Sequence, residues 1–502
     1  MSIEDLLFGW HEMEQALPGY QDAQDYFEGK VRETFPTREI EEAIGSTGEA
    51  YKFGLAAVPV KTLVNRVELA GVRSETPAIE KRIAAISEAN DLAVRWPNLI
   101  LWAAEYGDAY LQVWDIGEDE TDPRLVEVGV EMSVQNPKHC RVFYDSETER
   151  RKSFAMKRWL IRAGSDRLWR VDLYYPDRVE RWISRPGQGP ADEASWVRFF
   201  DADQAVRDWE LEVPILGEIP FFHFRTGLPY GAPVHEPAFG CQNAVTKMLV
   251  TQLTTTDSHG WPQRYQLLEL GAELDMAGDD PDWDDDADSA DDASLQGGVS
   301  SGMRSGPGTM QTMSGTKEVG QFDAADPTVF LDPTELYIRL MAQLTDTPLH
   351  YFDPRGGTPS GESLKVADAP LVKAAEKLKT ILTRPTEEAW DYALRVAGVS
   401  GPGRIRARWL PSHSSSTAAD WELVRLKQDA GVPIPVTLKE AGYEPEEVDS
   451  WDLPDHPVDS QIAVTESGLP GMPGGGFPPI DTPATGGGAT GGDGDGGGDG
   501  QQ

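Results

Sequence analysis

Ala109-Tyr-Leu-Gln-Val-Trp114 is the first of six short segments between Asp108 and Phe200 in which apolar residues alternate with polar ones or run together. Val126 to Val134, Arg141 to Tyr144, Phe154 to Ile161, Leu168 to Tyr175 and Val179 to Ile183 follow, separated by Gly, Pro and Asp clusters. Successive strand side chains point to opposite faces, so the pattern predicts antiparallel strands joined by tight turns.

Towards the N-terminus the period becomes helical. Ile3, Leu6, Leu7, Trp10 and Leu17 recur at helical spacing, Ser2 is a cap, and Glu4 and Asp5 suit the positive end of a helix dipole. Pro18-Gly19 is expected to stop that helix, with further helices over 21–34 and 77–96. Residues 1–235 thus read as an α+β domain, helices first and then a meander.

Towards the C-terminus, Pro237 opens a helix to about Ser258. Phe239, Cys241, Val245, Met248, Leu249 and Leu253 form its apolar stripe, and Gln242, Asn243, Thr246, Lys247, Thr251 and Thr254 face away. A short strand is expected over 264–268. From Glu269 to Asp292 there are twelve acids and no Lys or Arg, and a Gly/Ser/Met-rich stretch runs on to Gly315. A strand is expected over 317–322. Asp332-Pro-Thr-Glu335 has the chemistry of a helix start, and Leu336, Leu340, Met341 and Leu344 follow on one face. A Pro/Gly loop then leads into a long helix over 363–396, which Pro370 and Pro385 should bend. Residues 401–450 read as a small unit with a strand over 404–410, a helix over 418–430 and another near Thr437. The Gly-rich tail cannot bury enough surface to order itself.

Composition narrows the function. The 502 residues carry 84 acids and 45 bases, a formal net charge of -39. A chain of this sign does not coat nucleic acid through bulk electrostatics. The two cysteines, Cys140 and Cys241, cannot build a thiolate zinc site, and Cys241 is expected to be a buried small residue. Met1 to Trp10 has no basic region of the kind that starts a signal peptide, and no apolar run reaches membrane-spanning length. Synthesis in the cytosol is the expectation.

The chain lacks the GxxxxGK[ST], HExxH and GxSxG patterns. Ser314-Gly-Thr-Lys317 matches SxxK in isolation. Asp282, Asp284 and Asp286 have the 1, 3, 5 spacing of a calcium loop, but Ala287 stands where the turn needs Gly and Ala293 where a bidentate Glu is required. Gly491-Gly-Asp-Gly-Asp495 resembles a Gly/Asp calcium repeat but occurs once. A solvated, repulsive loop is the expectation for the acidic block, with ion binding as the alternative. Two basic groups, Arg404/Arg406/Arg408 and Arg150/Arg151/Lys152/Lys157/Arg158, are expected to be solvated faces paired to nearby acids.

The order of these elements resembles the portal protein of a tailed double-stranded DNA bacteriophage, in the long-tailed branch. Leu17-Pro-Gly-Tyr-Gln-Asp-Ala-Gln-Asp-Tyr-Phe-Glu-Gly29 resembles the family's N-terminal "YY-x-G" helix, and Asn65-Arg-Val-Glu-Leu-Ala-Gly71 ends a stretch similar to the next helix and strand. Ala104-Glu-Tyr-Gly-Asp-Ala-Tyr110 resembles the "YG-x-AY" that leads into its sheet. Ile219-Pro-Phe-Phe-His-Phe224 and Pro262-Gln-Arg-Tyr265 bracket the first stem helix as in the family. Thr347-Pro-Leu349 and Gly357-Thr-Pro-Ser-Gly-Glu362 resemble the loop before the long helix. The resemblance covers roughly residues 10–450.

The resemblance implies a ring, usually of twelve subunits, at one capsid vertex of the virion. DNA is packaged through it by a docked terminase large subunit and later ejected. Major capsid, scaffolding and head-tail connector proteins are the other implied partners, with no membrane, no cofactor and no catalytic residue. It implies a wing (1–235 with the long helix, 363–400), stem helices (236–262 and 332–346), a clip (263–331), a tunnel loop (347–362) and a crown (401–460), before a disordered tail (461–502). Lys247, His350, Arg355 and Lys365 become candidates to face the DNA, and Gly356 and Gly357 candidate hinges. Subunits this acidic should need salt or divalent ions to close a ring. Two alternatives stay open: another virion structural protein, such as a head-tail adaptor or minor capsid protein, and a metal-dependent nuclease using the Asp block.

Overall fold

A computed structural model of the chain describes residues 2–30, 53–116, 121–148, 150–163, 166–186, 192–199, 209–259, 264–269, 310–315, 318–321, 328–352, 361–401, 403–413 and 417–440, with the single positions 190, 448, 451 and 453. It divides into two units, Met1–Ser414 and Ser415–Gln502.

The larger unit is a mixture of helices and largely antiparallel sheets, as the α+β reading expects. Helix α1, Ser2–Phe27, corrects one expectation: it runs unbroken through Pro18. Pro18 and Gly19 are exposed, while Leu6, Trp10, Met13, Tyr20 and Ala23 are buried on both sides of them. Burying a large apolar side chain stabilises by roughly 2 kcal/mol. Several such anchors outweigh the roughly 3 kcal/mol cost of one interior proline.

Helix α2 (Ala57–Val64) and strand β1 (Leu69–Ser74) lead to α3 (Pro77–Ala89) and α4 (Leu92–Tyr106). The single helix expected over 77–96 is therefore two. Between them Asp91 is left-handed, at φ 50°. Buried Asn90 donates from Nδ2 to the Ile86 and Val130 carbonyls (3.0 and 3.1 Å) and accepts from Met132 N at 2.7 Å. Its side chain thus ties the helix break to a neighbouring strand.

That strand, β3 (Val130–Gln135), lies beside β2 (Asp108–Asp115) in a three-stranded sheet with order β10-β2-β3, where β10 is Phe221–Arg225. The strand expected from Val126 starts later, because Pro123–Val128 is a short helix, α5. Asp122 caps it, accepting from Arg124 N at 2.9 Å, and Gly129 ends it at φ +70°. Antiparallel strands β4 (Cys140–Tyr144), β5 (Lys152–Ala163), β6 (Asp166–Tyr174), β7 (Arg178–Ser184) and β8 (Trp196–Arg198) form the larger sheet in that order, and β9 (Glu210–Glu212) also pairs with β7. This is the expected meander. Phe143, Phe154, Met156, Val171 and Leu173 pack under α1, while Val142, Ala155 and Tyr174 pack with Tyr110 and Phe221 of the smaller sheet.

Helix α6 (Phe239–His259) and helix α7 (Thr328–Leu344) pack against each other. Between them in sequence come β11 (Arg264–Glu269), β12 (Met310–Gly315) and β13 (Glu318–Gln321), a separate sheet with order β12-β11-β13. Strand β12 corrects the low-complexity reading of its last residues. Helix α7 begins at Thr328, so Pro333 lies inside it rather than at its first position. Cys241 is half-buried, not buried.

Helix α8, Gly361–Val396, runs through Pro370 and Pro385. Leu371, Ala375, Leu378, Leu382, Ala389 and Ala393 seat it in the core formed with α4 and the smaller sheet. Strand β14 (Ile405–Trp409) pairs antiparallel with β1, Leu69 opposite Trp409 and Ser74 opposite Ile405. This pairing corrects the small unit expected over 401–450, since its strand belongs to the larger unit. The second unit contains α9 (Thr417–Asp429) and α10 (Ile434–Glu440), with Val424, Leu438 and Val448 buried together. Most of the acidic block, from 270 onward, and the tail from 461 lie outside the described residues, and among those described no helix is long and apolar enough to cross a membrane.

Candidate functional site

The α6–α7 pair is rooted in the larger unit by polar side chains. Gln242 accepts from Ala56 N at 2.9 Å and donates to the Phe53 carbonyl and to Thr246 Oγ1. Tyr26 stacks on Phe239 at 3.9 Å and donates to Asn243 Oδ1 at 3.0 Å. Gln242 and Thr246 are fully buried, so the face expected to lie away from the apolar stripe is itself packed at these two positions. The hydroxyls of Thr246, Thr251, Thr255 and Thr256 each donate back to the carbonyl four residues earlier, so they satisfy the helix rather than project from it. Lys247 is exposed in the middle of α6.

After α7 the chain turns through Asp346, at φ 52°, into a short turn at Leu349–Tyr351. His350 Nε2 is 3.5 Å from Asp368 Oδ1 on α8. Asp368 Oδ2 also accepts from Arg66 Nη2 at 2.6 Å. Arg66 donates further to Tyr351 Oη and the Ser412 carbonyl, both at 2.7 Å. Burial pulls the Arg66 guanidinium down, and its bonds to Tyr351 and Asp368 outweigh that and raise it. Lys379 joins the cluster through Glu376 at 3.0 Å and the Leu410 carbonyl at 2.6 Å. The near end of the loop is thereby tied to α2, α8 and the segment after β14. Lys365 is exposed one turn before Asp368. Arg355, Gly356 and Gly357 lie outside the described residues. Sequence reading selected His350 but missed Arg66 and Asp368, which pair beside it; no local pattern marks a contact between residues so distant in the chain.

A second network explains the Tyr-Gly-Asp stretch. Gly107 ends α4 at φ +86°, and a Cβ there would meet Ala232 N at 2.6 Å. Asp108 accepts from Tyr20 Oη, His223 Nε2 and Gly231 N, each at 2.8 Å. The other ring nitrogen, Nδ1, accepts from Tyr144 Oη at 2.8 Å. Burial lowers the His223 imidazole despite the opposing pull of Asp108. This Asp–His–Tyr order looks like an acid–base relay. Burial, however, pushes the Tyr144 phenol up, leaving it a protonated tie between β4 and β10 rather than a nucleophile.

The basic groups divide. Arg158 is 2 % exposed, pairs with Glu14 and lies 4.6 Å over the Trp10 ring, so it is not a solvated face. Lys157 donates to Gln112 Oε1 at 2.9 Å. On β14, Arg406 stands directly opposite Arg73. Among the described residues no group of three or more His, Cys, Asp or Glu is placed to hold a metal ion. No protein-family model matches the chain, and no curated protein matches it.

Proposed function

We propose that this chain is the subunit of a bacteriophage portal, a ring at a capsid vertex through which the genome enters under a docked terminase motor and later leaves. The observation that carries the reading is the packed pair α6–α7 with a separate three-stranded sheet inserted between its helices. A stem leading to a clip needs that chain order, whereas an adaptor or nuclease does not.

A second feature supports it. Thr334, Met341 and Ala342 of α7 are buried, so Met341 does not share a face with Leu336, Leu340 and Leu344 as its spacing suggested; those three and Val329 are exposed along the other side. Positions four apart share a helix face, so α7 carries an apolar stripe that a neighbouring subunit in a ring would cover. The net charge of -39 suits a lumen that must pass a polyanion without holding it. Lys247 and Lys365 are exposed and are proposed to face the DNA, and His350 lies 3.5 Å from Asp368.

Sedimentation velocity in salt and magnesium tests the stripe. The wild-type chain should form a large closed species, and Leu336→Glu with Leu340→Glu should remain monomeric with unchanged helical content. Equal assembly by both would remove α7 from the subunit contact.

A further inference from the structure

Acids outnumber bases 84 to 45 in this chain, so an ordinary surface cavity should be lined mainly by carboxylates. A cavity of about 620 Å³ between the β4–β5 connection, β10 and the middle of α8 reverses that balance. Among the described residues, Arg150, Lys152, Arg225 and Arg384 line it, against the one carboxylate of Glu388. An adjoining cavity of about 440 Å³ shares Lys152 and Glu388 and adds Arg151 and Arg395 as well as Glu218 and Asp391, so its described charges balance and the cationic excess is local to the first cavity.

The four cations differ in freedom. Lys152 Nζ donates to the Phe221 carbonyl at 2.7 Å. Arg225 lies 5.0 Å over the Tyr144 ring and donates to the Pro229 carbonyl. Tyr144 is itself held by His223, so these two cations rest on a rigid wall. Arg150 and Arg384 are exposed at the mouth, Arg384 with 84 % of its side chain accessible and 2.7 Å from Glu388. Two cations held against the wall and two exposed arginines suit a compact ligand carrying several negative charges, because arginine forks grip phosphate oxygens in pairs. The volume lies in the range of small-molecule pockets.

We infer that this cavity binds a small, multiply charged phosphate anion, bridging α8 to the sheet. A duplex backbone is the less suitable source of phosphate, since the charge of the whole chain repels DNA while the cavity admits a compact ion.

Isothermal titration calorimetry of the full chain with sodium pyrophosphate, at fixed ionic strength, tests this. Saturation at one site per chain is expected. Arg150→Gln with Arg384→Gln should weaken binding at least ten-fold and leave the melting temperature of the unliganded protein unchanged. Absence of saturable heat beyond a sodium chloride control, or equal affinity in the double variant, would overturn the site. Displacement of pyrophosphate by a short DNA duplex binding more tightly through the same arginines would overturn the small-anion assignment.

Discussion

Arg66 and Asp368 stand 302 residues apart in the chain and 2.6 Å apart in space. Their pairing joins the residues just after α2 to the first third of α8, and through Tyr351 it also reaches the start of the loop after α7. The described residues up to Phe352 are thereby tied into the body of the larger unit.

Removing one partner should cost more than the pair is worth, since a largely buried guanidinium is left without its counter-charge. Asp368→Ala is expected to destabilise the larger unit by about 2 kcal/mol in urea unfolding. Arg66→Met combined with Asp368→Ala should cost less than the sum of the single changes. Strict additivity would show the two residues to be uncoupled.

Gly107 is constrained twice, by its positive φ and by the backbone of Ala232 packed where a Cβ would lie. Gly107→Ala should cost more than about 3 kcal/mol, or prevent soluble expression, because both the strain and the clash must be relieved. Gly129 has a positive φ but open space around it, so Gly129→Ala should cost only about 1 kcal/mol. Comparable stabilities for the two variants would contradict the close approach.

His235 is fully buried and donates from Nε2 to the Ala23 carbonyl at 2.9 Å. Burial lowers its imidazole to about 4, against 6.5 in the unfolded chain. The folded state then binds fewer protons, so its contribution is complete above pH 6.5 and is lost as pH falls towards 4. Between pH 7 and pH 5 that loss is about 2 kcal/mol. His235→Gln keeps a donor and removes the titration. Its unfolding free energy should therefore fall less steeply than that of the wild type over this interval, and parallel slopes would count against the assignment.

What the sequence disclosed follows the range of the interactions. The meander from β4 to β7 was legible because Phe143, Phe154 and Leu173 alternate with residues of the opposite face, and period two is local. Helix α8 was legible from a stretch rich in Ala, Leu and Lys, and Leu371, Ala375, Leu378 and Leu382 are its buried positions. The passage of α1 through Pro18 was not, since its anchors, Trp10 and Tyr20, are buried by distant segments. Nor was the pairing of β1 with β14, which no short-range pattern marks. Of the candidate site, His350 was selected as a cation, and its position 3.5 Å from Asp368 emerged only in three dimensions. The helix break was the nearest miss: Asn90-Asp91 is a dipeptide that favours turns, and it interrupts an otherwise helical pattern.

Electron microscopy of the purified full-length chain, in low salt and again with added salt and magnesium, addresses the central claim directly. The account predicts ring-shaped particles of uniform subunit number around an open channel, more abundant where charge repulsion is screened. Compact particles with no channel under every condition would contradict it.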